Sequence, residues 1–96
     1  MAKQTQNEKG FLIIRCSTIE LMTIEPAAMG ICDSCNGGTL DGYLCCALGH
    51  RLYCEKCYTD WLKRAVRYDE DIPYEEKTFN QYKTAFINAG LWEDKQ

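Results

Sequence analysis

The sequence predicts a small α+β domain, and three observations carry that expectation. The chain has 96 residues, room for one domain. A β-branched apolar stretch near the start is followed, in the second half, by two stretches whose apolar residues recur at helical spacing. Between them lie most of the seven cysteines, four of them arranged as two Cys-x-x-Cys pairs. A core of this size buries only roughly 60–68% of what the unfolded chain exposes. Such domains commonly need a disulfide, a metal or a partner to hold them.

The elements follow in order. Residues 1–10 are polar and end in Gly10, which reads as a flexible tail. Residues 11–96 then form the single domain, with its cysteine-rich core at 32–68. Phe11 to Cys16 is rich in apolar and β-branched residues and predicts a strand. The next segment supports two readings: Ser17-x-x-Glu20 has the form of a helix capping box, while Ile19, Leu21 and Thr23 alternate as in a strand. Pro26 ends it. Asn36-Gly37-Gly38 and Asp41-Gly42 are turn material. Tyr43–Leu48 and His50–Tyr53, flanking Gly49, predict a hairpin. Over 55–68, Tyr58, Trp61, Leu62, Ala65 and Val66 lie on one helical face. Asp69 to Pro73 interrupts, and a last helix is expected over 74–89, with Phe79, Tyr82, Phe86 and Ala89 facing the core and Gly90 closing it.

Composition narrows the class. Hydrophobic residues are 46% and charged residues 26%, and the net charge is −3. These are the proportions of a globular protein rather than a disordered one. They are not those of a general nucleic-acid binder. No apolar stretch approaches the roughly 20 residues needed to span a membrane. The first nine residues have no apolar centre or cleavage pattern, so a cytoplasmic, reducing setting is expected, in which dense thiols read as metal ligands rather than disulfides.

The metal signal is the spacing. Cys32-x-x-Cys35 and Cys54-x-x-Cys57 are separated by eighteen residues, within the interval of about 15–20 seen between such pairs in zinc sites. Each Cys-x-x-Cys turn presents two thiolates to one ion, and two turns complete a tetrahedral zinc shell. The expected cofactor is one structural Zn2+ on Cys32, Cys35, Cys54 and Cys57. Redox dithiols are the competing reading, although they need only one pair opening a helix in a βαβ context. Four cysteine ligands leave zinc no open position for water, and no catalytic motif accompanies them, so no catalytic residue and no enzyme activity are expected.

A knuckle, then a hairpin, then a helix bearing the second pair in its first turn resembles the treble-clef zinc finger. More narrowly, Cys32-x2-Cys35-x10-Cys46-x3-His50-x3-Cys54-x2-Cys57 resembles the first six ligands of a RING finger over residues 32–62. That resemblance implies that Cys32, Cys35, Cys54 and Cys57 share one zinc. It also implies that Cys46 and His50 belong to a second site and that the chain is a component of a ubiquitin ligase. The fourth RING pair has no counterpart, since no Cys or His follows Cys57. LIM and zinc-ribbon domains share the same four-cysteine logic.

The remaining ligand-type residues have plainer roles available. Cys16, Cys45 and Cys46 suit a core as small hydrophobes, and His50 suits a locally bonded turn residue. Arg51, Lys56, Lys63, Arg64 and Arg67 make a basic strip around helix 56–67. That strip permits nucleic-acid binding but reads first as a solvated helix face. The expected function is therefore a non-catalytic protein-protein interaction or adaptor module, with another protein as partner. The candidate surfaces are the exposed helix faces and the region of Trp61 and Trp92.

Overall fold

The computed structural model describes residues 1–93. Four antiparallel strands form one sheet in the order β1 (Lys3–Thr5), β2 (Ile13–Ser17), β3 (Asp41–Cys45) and β4 (Leu52–Tyr53). Three helices accompany it: α1 (Thr18–Ile24), α2 (Glu55–Arg64) and α3 (Ile72–Asn88). Strand alternation sorts the core into two layers. Ile14, Cys16, Leu44 and Leu52 face one side, where Phe79, Tyr82 and Phe86 of α3 and Leu21 of α1 cover them. Ile13 and Cys45 face the other side, against Tyr58 and Trp61 of α2 and Phe11. The sheet is thus sandwiched between α2 and the α1–α3 pair.

Residues 1–10 depart from the expected flexible tail. Lys3, Gln4 and Thr5 pair with Arg15, Ile14 and Ile13. Ala2 is fully buried, its N–H donating to the Leu91 carbonyl (2.8 Å) while its own carbonyl accepts from the Glu93 N–H (2.8 Å). The chain end is held by backbone pairing, which a polar tripeptide does not advertise.

The ambiguous segment after β2 is helical. The Ser17 hydroxyl accepts from the Glu20 N–H and the Glu20 carboxylate accepts from the Ser17 N–H, a complete capping box. Helix α2 stops at Arg64, short of the expected residue 68. Lys9 Nζ takes the Ala65 carbonyl at 2.6 Å, and Arg67 is drawn to Glu75 at 2.9 Å, so the chain leaves the helical path there. Val66 consequently faces solvent. Helix α3 begins at Ile72 with Pro73 in its first turn and ends in a Schellman motif. The Gly90 N–H donates to Ile87 and the Leu91 N–H to Phe86, with Gly90 at φ 73°. Trp61 and Trp92, expected to mark a surface, are instead buried, one in each layer of the core.

Candidate metal centre

The first pair sits on a tight knuckle. The Cys32 N–H donates to the Gly37 carbonyl (2.9 Å), the Asn36 N–H donates to the Cys32 carbonyl (2.9 Å), and Ile31 bridges Gly38. Asn36 adopts φ 62°, a left-handed turn that asparagine tolerates. The second pair lies at the start of α2, with Cys54 as its N-cap and Cys57 in its first turn. Asp33 joins the two halves: its N–H donates to the Leu52 carbonyl (2.8 Å) and its Oδ2 accepts from the Leu52 N–H (2.7 Å). That double contact pins the knuckle to β4, two residues before Cys54. Asp33 was not singled out by the sequence, where an aspartate inside a Cys-x-x-Cys turn looks like ordinary turn chemistry.

The four sulfurs converge. The Sγ atoms of Cys32, Cys35, Cys54 and Cys57 all lie within 4.8 Å of one another. A tetrahedral zinc with bonds of about 2.3 Å sets its sulfurs roughly 3.8 Å apart. The cluster therefore fits such an ion with a small contraction, and four soft donors suit zinc. Among the described residues this is the one grouping of metal-ligating side chains.

Electrostatics favour the same use. Burial opposes ionisation of Cys32, but the amides of Cys35, Cys54 and Ser34 and the Cys57 thiol overcome it and lower this thiol from 9 to about 6. The Ser34 N–H lies 3.4 Å from the Cys32 sulfur. Cys57 goes the other way. A hydrogen bond with Ser34 favours its thiolate, but contacts with Cys54, burial and the neighbouring Cys32 and Cys35 raise it to about 12. Four clustered sulfurs share protons unequally because they cannot all carry charge without a cation between them. The first-turn amides of α2 add positive potential at the same point.

The other cysteines and the histidine lie elsewhere. Cys45 and Cys46 are fully buried on opposite core layers. Burial raises both thiols, Cys46 to about 12. Cys16 is buried in the α1–α3 layer, and its thiol is likewise pushed up to about 12, mainly by burial. Burial of this kind makes inert packing cysteines. His50 Nδ1 lies 2.8 Å from the Tyr82 hydroxyl, and its ring meets Tyr82 edge-on.

No family model, curated protein or solved structure matches this chain. The residues themselves therefore carry the functional argument. They establish a small α+β fold and a four-cysteine cluster able to hold a metal ion.

Proposed function

We propose that this chain is a cytoplasmic zinc-binding adaptor. One structural zinc on Cys32, Cys35, Cys54 and Cys57 fastens a treble-clef core, and the domain so held binds another protein without catalysis. The observation that carries the reading is the convergence of two cysteine pairs from separate elements into one sulfur cluster. The order of knuckle, β3–β4 hairpin and α2 supports the treble clef. Exposed apolar side chains such as Ile19, Met29 and Leu40 offer a protein partner apolar surface to cover.

Two observations weigh against the rival readings. Cys46 has its sulfur turned toward the Leu44 carbonyl, 3.9 Å away, and His50 is engaged by Tyr82, so the pair that a RING-like ligase would need for a second ion is occupied otherwise. In the basic strip of the nucleic-acid reading, Arg67 is spent on the buried Glu75.

Native mass spectrometry of the reduced protein tests the metal: one zinc per chain, lost in Cys32→Ser, is expected. None, or two, overturns the one-zinc reading. A photo-crosslinker at Leu40 tests the adaptor role. It should capture a discrete partner in cells that binds the purified domain directly and is released by chelation. No such partner, or tight binding to RNA or DNA at low salt that vanishes at high salt, overturns it.

A further inference from the structure

Beside the first cysteine pair lies a cavity of about 430 Å3 that the metal centre does not use. Its size falls in the range of about 300–1,000 Å3 usual for ligand sites. Leu44 and Leu52 of the sheet and Leu21 of α1 line its apolar part. Its polar groups are Glu25 at the end of α1, Asp33 and Asn36 of the knuckle, and the His50–Tyr82 pair. Among the described residues no lysine or arginine lines it, so two carboxylates face the space with no described cation beside them. Glu25 lies next to the Tyr82 hydroxyl, and burial together with that carboxylate raises the hydroxyl above its ordinary range, keeping it protonated. Asp33 gives one oxygen to the Leu52 amide. At the mouth, Met29 is 76% and Ile31 37% exposed, large apolar side chains left in solvent on the rim.

This combination selects for a particular guest. Two carboxylates at the edge of an apolar cavity call for a cation, and the apolar walls call for an aliphatic stem behind it. A guanidinium suits the carboxylates better than an ammonium: its planar fork can bond them in pairs, and it is the more weakly hydrated cation to bring in from water. The exposed rim would cover the apolar neighbours of that side chain. We infer that the cavity is the recognition pocket for an arginine side chain of a partner protein, held by Glu25 and Asp33 and flanked by apolar residues that pack on Met29 and Ile31. The inference rests on the protein-binding reading above and adds the partner's chemistry to it. Because Asp33 belongs to the knuckle, its place in the pocket is set by the same fold that gathers the cysteine cluster.

The test is an NMR titration of the isotope-labelled, zinc-loaded full chain with acetyl-Ala-Leu-Arg-Leu-Ala-amide, and with the same peptide carrying citrulline in place of arginine. Citrulline keeps the shape and removes the charge. The arginine peptide should shift the amides of Ala28, Met29, Ile31 and Leu52, and it should bind at least about tenfold more tightly than its citrulline counterpart. Glu25→Gln should lose a similar factor while keeping its zinc and the spectrum of α2. Equal affinity of the two peptides, or shifts confined to other residues, overturns the pocket. The comparison is made on the unaltered chain, so it holds even if Glu25→Gln folds poorly. The adaptor role is judged separately by the Leu40 crosslink, so a failure of the pocket can be told from a failure of the adaptor reading.

Discussion

Replacing Glu75 with alanine should remove a large share of the fold's stability, although the residue lies outside the four-cysteine cluster. Glu75 lies on α3 and is 1% exposed. Its Oε2 accepts from the Leu12 N–H at 2.9 Å, at the entry to β2, and its Oε1 accepts from the Arg67 guanidinium at 2.9 Å. One carboxylate thus ties three segments together. Its removal strands a backbone amide, at a cost of about 1–3 kcal/mol. It also leaves a cation inside the protein, and breaking a buried pair from one side costs about 3–5 kcal/mol. Arg67 already has a buried Nε without a partner among the described residues, so losing Glu75 adds to an existing deficit. Arg67 is, however, 29% exposed, and solvent recovers part of the loss. We therefore expect a net cost of about 3 kcal/mol for the two effects together. Against roughly 5–14 kcal/mol for a domain of this length, the melting temperature should fall by roughly 12–24 °C. Urea unfolding of the zinc-saturated protein, with an unchanged m-value, measures it. A loss below about 1 kcal/mol would refute the reasoning, because a carboxylate that truly bridged these groups could not be removed so cheaply. The double variant Glu75→Leu with Arg67→Met should recover part of the loss, since no charge is then stranded.

Three further outcomes follow from the packing and the thiols. Ser17→Ala breaks the capping box of α1 and should cost about 1 kcal/mol in the same urea assay; no change would mean that Glu20 holds the helix start alone. Gly42→Ala places a Cβ 2.7 Å from the Leu52 Cγ and should cost about 1–3 kcal/mol through overpacking of the sheet, whereas a neutral result would show that Leu52 has room to turn. In the metal-free chain, Cys32 is lowered to about 6 from 9. Between these values the unfolded chain binds the extra proton, so this thiol's contribution grows from pH 6 to 9 and is lost as pH falls through 6. Ultraviolet thiolate absorbance should show a step near pH 6 that Cys32→Ser abolishes; a wild-type chain with no step there contradicts the geometry.

Features carried by chemistry at fixed spacing were legible in the sequence. Two Cys-x-x-Cys turns can be read as one site because each turn dictates its own geometry, and the chain between them needs only to bring them together. The Gly90 helix end was legible for the same reason, being local; the Ser17–Glu20 capping box was legible only as one of two readings of its segment. Features that depend on distant partners were not. Lys3–Thr5 becomes a strand because β2 offers an edge, and Ala2 is buried because Leu91 and Glu93 receive its backbone. Glu75 stands where a helix dipole would favour an exposed acid; only Arg67 and the Leu12 amide make it a buried one. Trp61 and Trp92 illustrate the same limit, since an aromatic on a helix face or near a chain end does not reveal whether another element will cover it.

The clasp between Ala2 and residues 91–93 bears on the order in which the chain can mature as it is synthesised. The sulfur cluster needs nothing beyond Cys57, and β1 to β4 are complete at Tyr53. A nascent chain ending near residue 70 thus holds every ligand and every strand. It still lacks Glu75 for the Leu12 amide, α3 for the face of the sheet that it covers together with α1, and Leu91 and Glu93 for Ala2. Synthesis from the N-terminus therefore delivers the metal centre first and seals the larger core layer last. A ribosome stalled in that interval would present a chain competent to take up zinc, with the apolar face of its sheet still open.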